Sequence, residues 1–572
     1  MTEGSLDNLR SRAKSLLKRV SLLSAAREVR RWMMLAISAA FRNQEYARRL
    51  EFTQVKERHA EGFSRRLNEL CGRPKAMVVS IGSVDGVKTE LGLIKGLELA
   101  GFTPVVLTPQ DRWLIKYYEL ARVDSCLFRE DYLGQVDSSQ VGAVVSGVRS
   151  LEDLLACEYA GVRVGRFAAS TALRKFRVGS LDFGSREIRE RLMPFVASSM
   201  NHTVGAQEII RTVRPKLVLF VDRGYTPVGE LFDICLANGI DVITWNAAHK
   251  NNAIMVKRYT LENRDEHPAS LAEASWQGIR GMEWTDGHRQ HLHNELSSCY
   301  ASGEWYSEVG TQFNTRLLKA DEIHKRFGLK PEKKTAVIFP HILWDGTFFW
   351  GRDLFGSYEE WFVETVRAAC VNDRVNWLIK VHPANIVKSL RDGFHGEHSE
   401  IKVIRERIGH LPDHVVIIPA DSDVNTFSLF SLMGYCLTVR GTVGVEAASF
   451  GIPVLTAGTG RYDHRGFTID SESRAEYLAR IADIHEIPPL SPVQRALAER
   501  FAYAVFVLRP LSLQTVTLEY QRDSKATPRA RINALTREDW LNAPDLKAFA
   551  DWVADPAQVD FLTGDHGRSF GG

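Results

Sequence analysis

Lys380 and His382 stand two residues apart in the segment LIKVHPAN, with Pro383 directly behind them. On a strand that spacing projects both side chains from one face, and the proline leaves both at the strand's carboxyl edge. A cation beside an imidazole suits a phosphate or pyrophosphate; a solvent-facing lysine with a structural histidine is the plainer alternative. Further on, TVRGTVGVEAASFGIPVLTAG puts Gly441, Thr442 and Val443 at the start of a helix that follows an apolar strand. The first N–H groups of such a helix, with the threonine hydroxyl, make an anion site. Glu446 lies one turn beyond Thr442 on the same face, where a carboxylate accepts hydrogen bonds from ribose hydroxyls or merely favours the helix dipole.

Three more patches carry chemistry-bearing side chains. GTGRYDHRGFTID (Gly458–Asp470) presents Tyr462 and Asp463, either as a surface loop or as the far wall of the same site. Asp345 sits among Trp344, Phe348, Phe349 and Trp350 in HILWDGTFFW, a loop built to stack on a sugar or base, or else a buried hinge cluster. Asp85, in Gly82-Ser83-Val84-Asp85-Gly86, and Asp222 each follow an apolar run and are candidates to take a hydroxyl proton, with His249 a competitor. The glycines at 82 and 86 fit neither GxGxxG nor GxxxxGK[ST], so they mark a tight turn or a close ligand approach, not a nucleotide fingerprint.

The elements that would hold these residues alternate regularly. AMVVSIG (Ala76–Gly82), the helix-patterned stretch Ser83–Gly101 and TPVVLTP (Thr103–Pro109) make one strand–helix–strand unit. Lys216–Asp222, Gly229–Gly239 and Ile240–Asn246 make a second. A new series begins at Thr335–Pro340 and continues through a helix at Tyr358–Cys370 and strands at Val375–Pro383, His414–Ala420, Gly434–Gly441 and Ile452–Gly458. This alternation predicts an α/β chain with two Rossmann-like sheets and a cleft between their carboxyl ends. Expected bounds are a basic helical extension over 1–74, the two sheets over 75–327 and 328–494, and a helical tail over 495–572.

Composition narrows the class. The 572 residues carry 73 Lys or Arg against 70 Asp or Glu, and 44% are hydrophobic, which excludes disordered and small disulfide-stapled chains. A net charge of +3 argues against a nucleic-acid partner. Residues 1–75 nevertheless hold 17 basic and 8 acidic side chains, so a basic head precedes a mildly acidic body. Leu6, Leu9, Leu16, Leu17, Val20, Leu22 and Leu23 recur at helical spacing within that head. It is either a packed helical extension or an amphipathic helix on an anionic inner-membrane surface through residues 1–70. The seven scattered cysteines include no CxxC pair, which points to a reducing compartment and no cysteine-based metal site. The apolar run Trp32–Phe41 is half the length of a bilayer span. A cytoplasmic chain, free or peripheral on the inner membrane, is expected.

The order WDG, KxHP, RGTVGVEAASFGIPV, YDHRGFT over 335–470 resembles the bacterial capsule-polysaccharide biosynthesis glycosyltransferases, including those related to Kdo (3-deoxy-manno-octulosonic acid) transferases. The family's HP pair matches His382 and Pro383, its S-T-x-G-x-E-A segment matches Gly441–Ala447, and its Y-D-x-x-G-L-T matches Tyr462–Thr468. Gly441 replaces the usual serine and Phe467 the leucine. The resemblance implies GT-B architecture, with a nucleotide sugar held mainly by the C-terminal half, no further cofactor, and a polysaccharide or lipid-linked acceptor. Similar KxHP motifs in CDP-glycerol polymer transferases and CMP-sialic acid transferases favour a CMP-linked donor over UDP or GDP. Two other readings share the fold: a CDP-polyol phosphotransferase and a non-catalytic scaffold for polysaccharide assembly.

Overall fold

A computed structural model describes residues 43–67, 72–123, 125–523 and 525–564. The chain divides into two compact units, Met1–Glu61 and Gly62–Gly572. In the first, residues 43–58 are helical; most of the expected amphipathic stretch over 5–50 lies outside the described residues. No helix among the described residues is long and apolar enough to cross a membrane.

The second unit holds two sheets. Short, mostly apolar runs become β1 (Lys75–Val79), β2 (Thr103–Thr108), β3 (Cys126–Phe128), β4 (Leu217–Phe220), β5 (Asp241–Ala247) and β6 (Ala253–Tyr259). They lie in the order β3-β2-β1-β4-β5-β6. All neighbours are parallel except β5 and β6, which form an antiparallel pair. The next six strands are β7 (Thr335–Ile338), β8 (Asn376–Lys380), β9 (Val415–Ile418), β10 (Met433–Thr438), β11 (Val454–Thr456) and β12 (Ile469–Asp470). They repeat that order as β9-β8-β7-β10-β11-β12, here wholly parallel. Both are Rossmann orders, with the reversal at β1/β4 in one sheet and β7/β10 in the other. The paired Rossmann-like α/β architecture expected from the sequence is the one observed.

Strand ends and helix starts alternate as the local chemistry requires. The helix Val84–Leu99 begins where the Ser83 hydroxyl accepts the Gly86 N–H. It is buried along nearly its whole length, because β-sheet covers one side and the chain's tail covers the other. At Gly96 a Cβ would stand 2.5 Å from the Phe549 ring, so only glycine lets that tail helix approach.

The tail departs from the expected helix. Pro492–Tyr503 is helical, opened by a Ser491/Gln494 capping box, and packs on the helix Thr442–Ser449. The chain then returns to the first sheet. β13 (Leu511–Ser512) extends it antiparallel to β6, and β14 (Val516–Tyr520) pairs with β15 (Pro528–Ile532) as a hairpin. The helix Pro544–Ala554 finally packs on Val84–Leu99. Buried Val516 and Leu518 alternate with more exposed Thr517 and Glu519, a strand pattern too short to stand out among polar residues.

Candidate functional site

The strand β8 stops at Lys380, so His382 is not on it; Pro383 caps the helix Ala384–Asp392 instead. The two side chains still meet in one cavity of about 200 Å³, which Gly441, Thr442, Val443 and Glu446 also line. These six residues come from the ends of β8 and β10, next to the second sheet's reversal point, where ligands of such sheets bind.

Lys380 is 3% exposed, and its ammonium has no hydrogen bond or ion pair to any described residue. Burial pushes its ammonium down to about 8, opposed by the more distant Asp421 and Asp423. At neutral pH it remains a cation without a counter-ion. His382 accepts the Ala384 N–H at its Nδ1, 3.2 Å away. That bond assigns the ring proton to Nε2. Burial, with Lys388 and Lys380 nearby, pushes the imidazole down to about 4, so His382 is a neutral N–H donor. Gly441 is the N-cap of the helix Thr442–Ser449, whose first N–H groups open on the same space. An ammonium, an imidazole N–H and a helix terminus thus converge where an anion would sit.

Arg461, which the sequence reading passed over, stands beside the helix start as a further cation and lines the adjoining larger cavity. Its guanidinium donates to the Thr442 hydroxyl at 2.6 Å and to the Arg440 carbonyl at 3.3 Å. It has no carboxylate partner among the described residues. Its only sequence signal is an arginine directly after the Gly-Thr-Gly that follows β11.

Tyr462 and Asp463 lie outside this cavity. The buried Tyr462 hydroxyl donates to the Gly441 carbonyl at 2.7 Å, and a Cβ on Gly444 would come within 2.1 Å of it. Asp463 accepts the Arg461 N–H at 3.0 Å and faces a separate hollow of about 190 Å³. Both shape the loop that carries Arg461.

Glu446 is buried, and its carboxyl takes the hydroxyl of Tyr300. Burial pushes it from 4.5 up to about 8. It is therefore a neutral acid at pH 7, able to donate as well as accept. The unfolded chain releases this proton first as pH rises, so the group removes stability progressively between about pH 4.5 and about pH 8. We expect Glu446→Gln to abolish that loss. The urea-denaturation stability of the variant should gain on wild type steadily over this window; a constant difference would show Glu446 already ionised at low pH.

A larger cavity, of about 760 Å³, separates the carboxyl ends of the two sheets. Asp85 and Asp222 line it from the first half, and Asp345, Thr442 and Arg461 from the second. Asp85 accepts the Ala530 N–H at 2.9 Å and the Lys88 ammonium at 3.3 Å, which ties the hairpin to the helix start. Asp222 folds back on its own loop, accepting Arg223 N–H at 2.6 Å and Gly224 N–H at 3.3 Å through one oxygen. Asp345 accepts from Tyr225 at 2.9 Å, pairs with Lys388, and has Arg174 at 3.8 Å. These cations overcome its burial and hold its carboxyl down to about 2, so it takes up no proton near neutrality. His249 does not reach either cavity. It is buried against Glu295 at 2.8 Å, and Lys250 occupies the same carboxylate at 2.6 Å. Cys299 stands beside them, its Sγ 4.0 Å from the same carboxylate oxygen.

The aromatic loop proves to be a mostly buried cluster. Trp344, Phe348 and Phe349 are all under a tenth exposed. Phe349 packs edge-on to Tyr225 at 5.4 Å, and Trp350 covers the Arg223 guanidinium at 4.7 Å. The loop stitches the halves together, and only Phe349 and Trp350 of these four border the cleft.

No protein-family model matches the chain, and no curated protein matches it. Among solved structures it is similar to the beta Kdo 2,4 transferase KpsC of Thermosulfurimonas dismutans. There the identity is 14% and the TM-score 0.34, covering 55% of this chain and 84% of that one. It is also similar to a UDP complex of MnaA from S. aureus, with 13% identity, a TM-score of 0.27, and coverage of 75% and 94%. A glycosyltransferase of Rickettsia africae gives 9% identity, a TM-score of 0.26, and coverage of 76% and 93%.

Proposed function

We propose that the protein is a glycosyltransferase that moves a sugar from a nucleotide donor to a surface polysaccharide or lipid-linked acceptor. One observation carries this reading: a buried, unpartnered lysine beside a helix N-terminus, in a small cavity that adjoins a cleft between two Rossmann-like sheets. Lys380, the Nε2–H of His382 and the first N–H groups of Thr442–Ser449 would stabilise negative charge on the departing phosphate. Such stabilisation at the atom where charge develops is usually the largest catalytic contribution. The stacked Tyr300 and Trp305, ring centroids 4.7 Å apart, give the small cavity an aromatic wall suited to a base or ribose. The larger cavity is the natural acceptor space. A CMP-linked donor is favoured by the motif resemblance.

A nucleotide panel tests this. CMP or CDP should raise the melting temperature at millimolar concentration, and release of CMP, UDP or GDP from the matching sugar nucleotide identifies the donor. Absence of stabilisation by every nucleotide would favour the scaffold reading.

A further inference from the structure

The wall shared by the two cavities is one tight turn. Ser307–Val309 are bounded by Tyr306 and Gly310, both left-handed with φ of 47° and 62°. That backbone is strained for tyrosine, and strain of this kind persists where the surrounding structure fixes it for a purpose. Tyr306 and Val309 line both cavities, as Thr442 does from the opposite half. The junction is therefore where a donor held at Lys380 would meet an acceptor in the cleft.

Glu308 sits on this turn and lines the larger cavity. Its carboxyl has no hydrogen bond or ion pair to any described residue. The charged and titratable groups facing it are Lys388 and Arg391, from the helix Ala384–Asp392, Tyr520, from β14, and Tyr306, two residues before it on the same turn. Lys388 is already committed to Asp345. The three aspartates of the cleft are each occupied by partners, whereas this carboxyl is free.

We propose that Glu308 is the general base of the transfer, a proposal that rests on the glycosyltransferase reading. The acceptor hydroxyl gives its proton to the Glu308 carboxylate as its oxygen bonds to the anomeric carbon of the donor. The bond from that carbon to the phosphate oxygen breaks, and its electron pair leaves with the nucleotide. Burial supports the assignment, since it pushes Glu308 up to about 7 against the pull of Lys388 and Arg391. A base near the working pH is best matched to proton transfer.

The test is nucleotide release from CMP-, UDP- and GDP-linked sugars with water as the acceptor. Glu308→Gln is nearly isosteric and removes a carboxyl that burial disfavours in its charged form, so it should fold with a melting temperature no lower than wild type. It should lower release by about 100-fold, leave the calorimetric Kd for the free nucleotide unchanged, and abolish the wild-type rise in rate as pH approaches about 7. Glu308→Asp should recover part of the rate. Release by Glu308→Gln within about threefold of wild type overturns the assignment and leaves the function standing. Wild-type protein that releases nucleotide from none of the three donors overturns both.

Discussion

Lys380→Met is expected to make the protein more stable and nearly inactive. The unfolded ammonium keeps its proton to about pH 10.4, whereas the buried one releases it near 8. Below that value the folded state holds an uncompensated cation, at a cost on the order of 3 kcal/mol. Methionine fills the same space without charge, so the denaturation midpoint should rise at pH 7, and the gain should fade as pH climbs from about 8 to about 10. Turnover should fall by about 10²- to 10³-fold, because the cation that would face the departing phosphate is gone. A group that destabilises the fold and is retained beside a helix terminus marks a site that trades stability for function. Lower stability in the variant would show that Lys380 has a structural partner instead.

Arg440→Ala should have the largest effect on the fold, about 3–5 kcal/mol of lost stability in guanidinium denaturation. Arg440 is 2% exposed at the end of β10, immediately before the helix that bears Thr442. Its guanidinium pairs with Asp353 and donates to the Tyr358 hydroxyl at 3.0 Å, the Thr459 carbonyl at 2.9 Å and the Arg352 carbonyl at 3.1 Å. Burial already raises the Asp353 carboxyl, and Arg440 is the charge that opposes it. Truncation strands that carboxylate and the Thr459 carbonyl, while the Arg352 carbonyl keeps the Thr459 N–H at 2.9 Å. Lysine at the same position keeps the charge but not the planar fork, so Arg440→Lys should fall between alanine and wild type. Stability of the alanine variant within about 1 kcal/mol of wild type would contradict this role.

Much of the architecture was legible because parallel strands buried on both faces read as uninterrupted apolar runs. AMVVS, KLVLF and TAVIF each announce themselves, and each is a central strand. β6 did not, although it is equally buried. Its AIMVKRY carries Lys257 and Arg258 inside, where they pair with Asp560 at 3.0 Å and Asp241 at 2.8 Å. A partner 303 residues away turns a charged side chain into a core residue, and no local pattern reports it. β14 and β15 were hidden for a similar reason, as their burial depends on a helix near the other end of the chain.

The site divides in the same way. Lys380, His382 and Thr442 could be found because each is bound to a strand end or helix start that the sequence marks. Glu446 was placed on the correct helix face, but its neutral state depends on Tyr300, which only the fold brings near. Arg461 and Glu308 were missed because their importance lies in what they lack. A charged side chain without an ion-pair partner has no signature in spacing, and it becomes visible only once the surroundings are known.

A crystal structure of the wild-type protein soaked with CMP at millimolar concentration tests the central claim most directly. The phosphate should lie between the Lys380 ammonium, the Nε2–H of His382 and the first N–H groups of the helix Thr442–Ser449, with the base against Tyr300 and Trp305. A phosphate bound elsewhere, or a cavity that stays empty at that concentration, would contradict the account.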